Sequence, residues 1–430
     1  MKQFFLVTSL LSLSLHSAQL SLNTAATSAI LINAQTGKVL YQKNPNLKLS
    51  PASTTKIATC LMILHKVKSL DEVVQAPADC LLKVSKKVKI ERKYQDPPFR
   101  LEPDGTSYGI LPNEKLTVRD LLHGMMLSSG NDASNVLAHY VSGGNIQKFM
   151  EETNEYLQSI GCYNTKFFNP HGLHYPNHLT TAKDLAILAK EAMRNPEFAK
   201  IVKTAAYERP KTNKQAAKSI VTTNRLIKKG PQYFSKAIGV KSGYHELAGS
   251  NFVGAAESDG RVLISVVMKC QNATEAYKDT LKLFDAAFSE KKLARVLLNH
   301  QESLFSKSVK GTKKLLEAAL KSDLVVEYYP SEEEGYYPDI KWLDVSLPIF
   351  KGEKVGEVFV KLQNNQIILK QDLYASKSLE LSTFQKIVQE CLNHVIALSL
   401  SIFGLMLGGL TLFFYLLKQR KITELEIDKN

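Results

Sequence analysis

Cysteine is scarce in this chain. Its 430 residues hold five, Cys60, Cys80, Cys162, Cys270 and Cys391, and no two form a C-x-x-C pair. That spacing gives no support to a zinc site or a dithiol redox centre, and free, mostly buried thiols are the simpler reading. An oxidising compartment would permit a bridge, but sequence cannot name its partners. Carboxylates are in short supply too: 41 Asp and Glu face 55 Lys and Arg, a net charge of +14. The cations are spread along the chain rather than gathered in a tail. This suits a solvated basic surface, or attraction to an anionic matrix or substrate. The composition also lacks the signature of disorder. At 44% hydrophobic and 22% charged, a chain of this length fits two or three folded domains.

What is present at the two ends argues for export, which disfavours a nucleic-acid partner. Lys2 precedes an apolar run from Phe4 to Leu15 and then the small residues Ser17-Ala18. This is the pattern of a secretory signal peptide, assigned to residues 1–22, with cleavage open between Ala18 and Ala25 or Ala26. Residues 395–417 are uncharged and mainly apolar, long enough to span a bilayer as a helix. Lys418, Arg420 and Lys421 follow, so the positive-inside rule makes 418–430 a cytoplasmic tail and leaves the bulk of the chain outside. Residues 381–394 form a juxtamembrane linker, in which Phe384 to Leu392 suits the membrane surface.

Between the ends, one stretch carries chemistry. Pro51-Ala52-Ser53-Thr54-Thr55-Lys56-Ile57 reads as a helix start, and Ile57, Leu61, Leu64 and Val67 give that helix an apolar stripe. Residues at i and i+3 share a helix face, so the Lys56 amine lies beside the Ser53 hydroxyl. A serine becomes a useful nucleophile when a base takes its proton, and a lysine serves once burial or a neighbouring cation lowers its pKa. Alone the pattern is weak. About two Ser-x-x-Lys matches arise by chance in such a chain, and Ser289…Lys292 is read as one of these.

Other segments place the remaining candidates. Residues 29–33 and 38–41 read as strands around a Gln35-Thr36-Gly37 turn. The run of Lys and Arg from Lys83 to Lys93 reads as a solvated loop or strand face. Thr117 and Asp120 open a helix that runs to Leu127. Ser128-Ser129-Gly130-Asn131 then makes a tight turn into a helix ending near Val141, so Ser129 and Asn131 can project into one cleft. The loop from Asn169 to His178 has three histidines, but no carboxylate or cysteine joins them, so a metal site is disfavoured. Thr180 to Arg194 is an amphipathic helix, and 195–236 is Lys-rich without a clear pattern. Lys241-Ser242-Gly243 would sit on a strand adjacent to a hairpin over 248–269. Its glycine would allow close approach of a ligand backbone. Ala273 to Leu297 reads as helical.

Ser53-x-x-Lys56, Ser129-x-Asn131 and Lys241-Ser242-Gly243 occur in that order, a set that belongs to penicillin-binding proteins and class A β-lactamases. With the contexts Thr36-Gly37-Lys38-Val39-Leu40-Tyr41, Pro51 to Lys56, Leu127 to Ala133, His171-Gly172-Leu173 and Ala248-Gly249, residues 27 to about 290 resemble the low-molecular-weight penicillin-binding proteins of the D-alanyl-D-alanine carboxypeptidase type, the S11 serine peptidases. The resemblance implies an α+β fold of the β-lactamase/transpeptidase kind. Its catalytic domain (23–296) would be an antiparallel sheet flanked by helices plus a helical subdomain, followed by a small β-sandwich-like domain (297–380). It implies Ser53 as acylated nucleophile, Lys56 as its base, and Ser129 with Lys241 as proton relay. Asn131 would hold the substrate amide, and Ser242 and Lys241 the terminal carboxylate. The N–H groups of Ser53 and Tyr244 would form an oxyanion hole, with Gly243 between and His171 skirting the pocket. It implies no metal or other cofactor, peptidoglycan peptides ending in D-Ala-D-Ala and β-lactams as partners, and a bacterial envelope protein anchored in the inner membrane.

Two departures stand out. The third motif is Lys-Ser-Gly where Lys-Thr-Gly is commoner. The arginine that some relatives carry after the hairpin to grip the carboxylate is missing from Gln271 to Lys278, which leaves Lys269 or Lys278 as substitutes. A D,D-endopeptidase or a β-lactamase are alternative activities, and a non-enzymatic penicillin-fold binding protein is a third. The Glu-x-x-Leu-Asn of class A β-lactamases is absent near its expected place, where Glu151-Glu152-Thr153-Asn154 does not fit.

Overall fold

The computed structural model describes residues 19–362 and 365–427; of the signal peptide expected over 1–22, residues 1–18 lie outside the described residues. The fold class is α+β. The chain divides into two units, one of 16–292 with 329–333, the other of 293–328 with 334–430.

The first unit is built on a five-stranded antiparallel sheet in the order β2-β1-β9-β8-β7. Its strands are β1 (Ser28–Asn33), β2 (Val39–Lys43), β7 (Ala237–His245), β8 (Gly249–Ser258) and β9 (Arg261–Cys270). Every residue of β1 is buried, because both faces of the sheet are covered. Ile30 and Ile32 pack into one core with Ile264, Val266 and Met268 of β9. Ala29 and Leu31, one residue out of phase, pack into a second core with Leu263 and Val267. That is the period of two a pleated strand imposes.

Helices supply the cover. The first core takes α1 (Lys56–Lys66), α3 (Val118–Leu127), α4 (Asn131–Val141), α5 (Ile146–Ser159), α6 (Ala182–Met193) and α7 (Pro196–Lys203). The second takes α8 (Ala273–Phe288). Each start is written locally. Thr117 and Asp120 close a reciprocal capping box on α3, Thr181 accepts from the Asp184 N–H of α6, and Asn195 caps α7 just ahead of Pro196. Short pairs β3 (Val73–Gln75) with β4 (Lys115–Thr117), and β5 (Ala206–Arg209) with β6 (Lys218–Val221), complete the unit. The last pair and α7 fill the Lys-rich stretch in which sequence showed no pattern.

Two segments differ from their sequence reading. Within 83–93, Lys86–Glu91 is a helix, α2, and Lys89 is buried, its Nζ donating to Glu102 Oε1 (2.9 Å) and Arg100 O (2.7 Å). The α8 helix stops at Phe288 rather than Leu297. Arg261 Nη1 donates to Ala287 O (2.6 Å), and Glu290 turns inward to Arg261 Nη2 (3.2 Å) and Ser331 Oγ (2.6 Å). These buried partners satisfy the helix end, and Leu293–Leu298 goes on as strand β10. The segment 329–333 belongs to this unit through the same cluster: Glu332 takes Arg261 Nη2 at 2.6 Å and Asn33 Nδ2 at 2.9 Å.

The other unit pairs β10 with β13 (Leu324–Tyr328) and forms a second five-stranded antiparallel sheet, β11-β12-β16-β15-β14. These are Leu304–Ser308, Leu315–Ala319, Ile367–Ala375, Lys354–Leu362 and Tyr336–Trp342 in sheet order. Leu316, Val355, Val358, Val360 and Leu373 make its core. One helix, α9, runs unbroken from Thr383 to Ile427, so 383–394 continues into the apolar stretch as helix. Its Lys386–Lys418 portion is long and apolar enough to cross a membrane.

Candidate active site

Ser53 does not sit inside α1. It belongs to a 3-10 turn, Ala52–Thr55, that leads into it, entered through Ala52 at φ +49°. Asn251 of β8 holds this turn, its Nδ2 donating to Ser50 O (2.9 Å) and Pro51 O (3.0 Å). From the other side His178 Nε2 meets Thr55 Oγ1 at 3.0 Å, and that hydroxyl donates to Ala52 O at 2.9 Å. The nucleophile candidate is thus mounted on a turn clamped by the sheet and by the histidine loop. Neither clamp is readable from spacing, since Asn251 and His178 are 200 and more than 100 residues away.

Lys56 opens α1 and is fully buried. Its Nζ lies 2.9 Å from Ser53 Oγ, 2.7 Å from Asn131 Oδ1 and 2.6 Å from His171 O. The last two are acceptors only, as Asn131 is oriented. A free amine has two N–H bonds and one lone pair. The two N–H bonds are spoken for, so the lone pair faces the serine hydroxyl. Burial, then the nearby Lys241 charge, hold the Lys56 amine well below the ordinary lysine pKa, against an opposing pull from Asp132. The geometry and the charge balance both favour the base form.

Ser129 and Asn131 occupy the turn between α3 and α4, with Ser129 buried at φ +63°. Thr106 buttresses the turn: its Oγ1 donates to Ser129 O (2.8 Å), and its carbonyl accepts the Asn131 N–H (3.0 Å). Asp132 arranges that loop by accepting from Tyr108 N (2.7 Å), Gly109 N (2.8 Å) and Ser107 Oγ (2.7 Å). Opposite runs β7, the edge strand of the sheet. Lys241 is 1% exposed, its Nζ donating to Ser242 O at 2.9 Å, and burial brings its pKa down to about 7. Gly243 passes so close to the serine turn that a Cβ there would lie 2.8 Å from Ser53 N. A side chain would push the strand away from the nucleophile.

Ser53, Asn131 and Tyr244 line a cleft of about 330 Å³, within the size of a small-ligand site. Its outer wall includes His174 of the three-histidine loop and Glu102, Asp104 and His245, the last three not singled out by sequence pattern. Lys86 and Glu246 form an ion pair there (2.6 Å). His171 contributes its carbonyl rather than its ring. The imidazole is buried, with Nδ1 accepting from Leu173 N (3.1 Å) and Nε2 donating to Phe99 O (3.2 Å). The Ser242 side chain lies against the Tyr277 hydroxyl. Lys269 and Lys278 are exposed and are not part of the cleft lining. Among the described residues no group of three or more His, Cys, Asp or Glu is placed to hold a metal ion.

The buried histidines set a pH dependence. Burial keeps His178 near a pKa of about 3, and burial plus the Lys56 charge keeps His171 well below 6.5. As pH falls from 6.5 the unfolded chain takes up protons that the folded one refuses. Stability is therefore lost on acidification through that window, at about 1.4 kcal/mol per pH unit for each such histidine. Thermal melts between pH 7 and 4.5 should show this slope, and His178→Gln should make it shallower.

A family model described as D-alanyl-D-alanine carboxypeptidase, peptidase S11, matches residues 15–272. The chain is 31% identical over 362 residues to the D-alanyl-D-alanine carboxypeptidase DacF of Bacillus subtilis, covering 84% of this chain and 87% of that one. It is 26% identical to DacA of Haemophilus influenzae, covering 79% and 81%. Among solved structures, penicillin binding protein 5 from Haemophilus influenzae superposes with a TM-score of 0.58 at 24% identity, covering 84% of this chain and 100% of that one, a likeness of fold. The Streptomyces K15 DD-transpeptidase gives 0.53 at 27%, covering 62% and 98%.

Proposed function

The chain belongs to the D-alanyl-D-alanine carboxypeptidase family, peptidase S11, and we propose that Ser53 carries out its reaction as an acyl-ester nucleophile on wall peptides ending in D-Ala-D-Ala. The observation that carries this reading is the Lys56 amine, fully buried and shared between Ser53 Oγ, Asn131 Oδ1 and His171 O. The protein is a serine-type carboxypeptidase, a hydrolase.

The steps follow from the groups present. The Ser53 hydroxyl gives its proton to Lys56 as Oγ attacks the carbonyl carbon of the penultimate D-Ala. Negative charge develops on the carbonyl oxygen. The N–H groups of Ser53, at a helical start, and of Tyr244, on the edge strand, are the donors proposed to receive it. The C–N bond then breaks, and the leaving amine takes a proton passed through Ser129. Free D-alanine departs and the ester remains on Ser53. Water, deprotonated in turn by Lys56, hydrolyses the ester and releases the shortened peptide. Asn131 holds the substrate amide, and the strand edge of β7 offers its backbone to the extended peptide. A β-lactam acylates Ser53 in the same way, and its opened ring stays attached in place of a leaving group.

The test is direct. Purified protein incubated with a fluorescent penicillin should gain one covalent adduct, mapped by peptide mass to the segment containing Ser53. It should also release D-alanine from a pentapeptide. No adduct on the folded, intact protein would sink the reading. The anchor completes it: α9 holds the protein in the cytoplasmic membrane, Lys418 and Arg420 mark the cytoplasmic side, and the catalytic unit works outside, on the wall.

A further inference from the structure

We propose that Asp104 selects peptides in which the residue before D-Ala-D-Ala ends in an amine, by pairing with that ammonium in the outer part of the cleft. The proposal rests on the carboxypeptidase reading above and concerns a part of the substrate that the three motifs leave unread.

The lining shows which side of the scissile bond the cleft serves. Ser53, Asn131 and Tyr244 to Leu247 line it, whereas Ser129, Lys241 and Ser242, assigned above to the leaving group and its carboxylate, do not. It therefore receives the acyl side of the peptide. The first amide on that side joins the preceding residue to D-Ala-D-Ala, and Asn131 is the group assigned to hold it. Beside Asn131 stands a tight turn, Glu102-Pro103-Asp104-Gly105, closed by Gly105 N on Glu102 O (3.1 Å). A Cβ on Gly105 would lie 3.1 Å from Asn131 Nδ2, so the turn abuts the amide-holding group. Both of its flanks are fastened. The buried Lys89 amine holds Glu102 at 2.9 Å, and Thr106 is tied to the Ser129 carbonyl and the Asn131 N–H. Pro103 stiffens the corner. Asp104, at the tip, lines the cleft from a rigid mount.

Charge singles Asp104 out from its neighbours. Glu102 is balanced by Lys89, and Glu246 by Lys86. Burial lowers the pKa of both His174 and His245, the latter to about 4, so neither ring is mainly charged at pH 7. Asp104 is exposed and has no hydrogen bond or ion pair among the described residues. The cleft wall thus carries an uncompensated negative charge on a protein whose net charge is +14. Tyr94, Leu173 and Leu247 line the same cleft. Apolar walls with a free carboxylate suit an alkyl chain that ends in an ammonium: the stem packs and the head pairs.

The test uses the full protein and two Nα-acylated peptides ending in D-Ala-D-Ala, preceded in one by lysine and in the other by Nε-acetyl-lysine. Release of D-alanine is the readout. Wild type should favour the free amine about 3- to 10-fold in kcat/KM, mainly through KM, and added salt should shrink that ratio. Asp104→Asn should bring the ratio close to one, and Asp104→Lys should take it below one. Glu91→Gln removes an exposed carboxylate of α2 that does not line the cleft, and should leave the ratio unchanged. Wild type that treats the two peptides alike would overturn the proposal. So would Asp104→Asn that loses equally on both, which is the mark of a structural residue, or Glu91→Gln that shifts the ratio as far. Wild-type protein that releases D-alanine from neither peptide would instead defeat the carboxypeptidase reading, and this proposal with it.

Discussion

Ser53→Ala leaves the fold intact and removes both penicillin labelling and D-alanine release, and Lys56→Met does nearly as much, lowering the acylation rate about 10³- to 10⁴-fold. The first change deletes the atom that forms the ester. The second keeps the chain length but deletes the lone pair that faces Ser53 Oγ at 2.9 Å. It also relieves the fully buried site of an amine, so the variant should melt no lower than a few degrees from wild type. Because the two groups act as one device, the double variant should be scarcely slower than Ser53→Ala alone. The pH profile is a second reading of the same fact. A base must be unprotonated, and the Lys56 pKa lies well below 10.5, so acylation should rise with pH and level off well short of that value. A limb still climbing at pH 10 would mean an ordinary lysine and would defeat the assignment of Lys56 as base.

Gly172→Ala is expected to be the most damaging single methyl in the catalytic unit. Gly172 has φ +88°, and a Cβ there would stand 1.9 Å from Ala52 O and 2.9 Å from Thr55 Oγ1. The nearest atoms in the way are the backbone carbonyl of Ala52, and all of them belong to the turn that carries Ser53. The loop must therefore retreat or the nucleophile must move. Destabilisation of about 3–5 kcal/mol follows, together with loss of penicillin acylation in whatever protein still folds. Gly109 is the control. It has the same φ of +88° with no atom within 4 Å of its would-be Cβ. Gly109→Ala measures the backbone strain alone, about 1–2 kcal/mol, and should keep acylation close to normal. If the two variants melt and label alike, the contact between Gly172 and the serine turn has no importance.

The chemistry was legible because it is local. Ser53 and Lys56 are one turn apart, Ser129 and Asn131 share one tight turn, and Lys241 to Gly243 are adjacent, so each motif carries its own geometry. Helix starts were legible for the same reason: Thr117 with Asp120, and the stripe from Ile57 to Val67, act within a few residues. The end of α8 was not, because the charged run Ser289 to Lys292 carries no stop signal of its own and the partners that end the helix, Arg261 and Ser331, are distant in the chain. Nor was the burial of Lys89, whose partner Glu102 is set by the path of a loop.

By itself the amino-acid order determined which groups exist and which of them are neighbours along the backbone: a hydroxyl and an amine on one turn, a second hydroxyl beside an amide, a lysine on a strand, and a long apolar helix near the end. Only the tertiary structure decided what surrounds them. Asn251 and His178 hold the serine turn, and the His171 carbonyl rather than its ring meets Lys56. The physical reason is that hydrogen bonding and close packing act between atoms a few ångströms apart in space, and across loops no sequence period records that proximity.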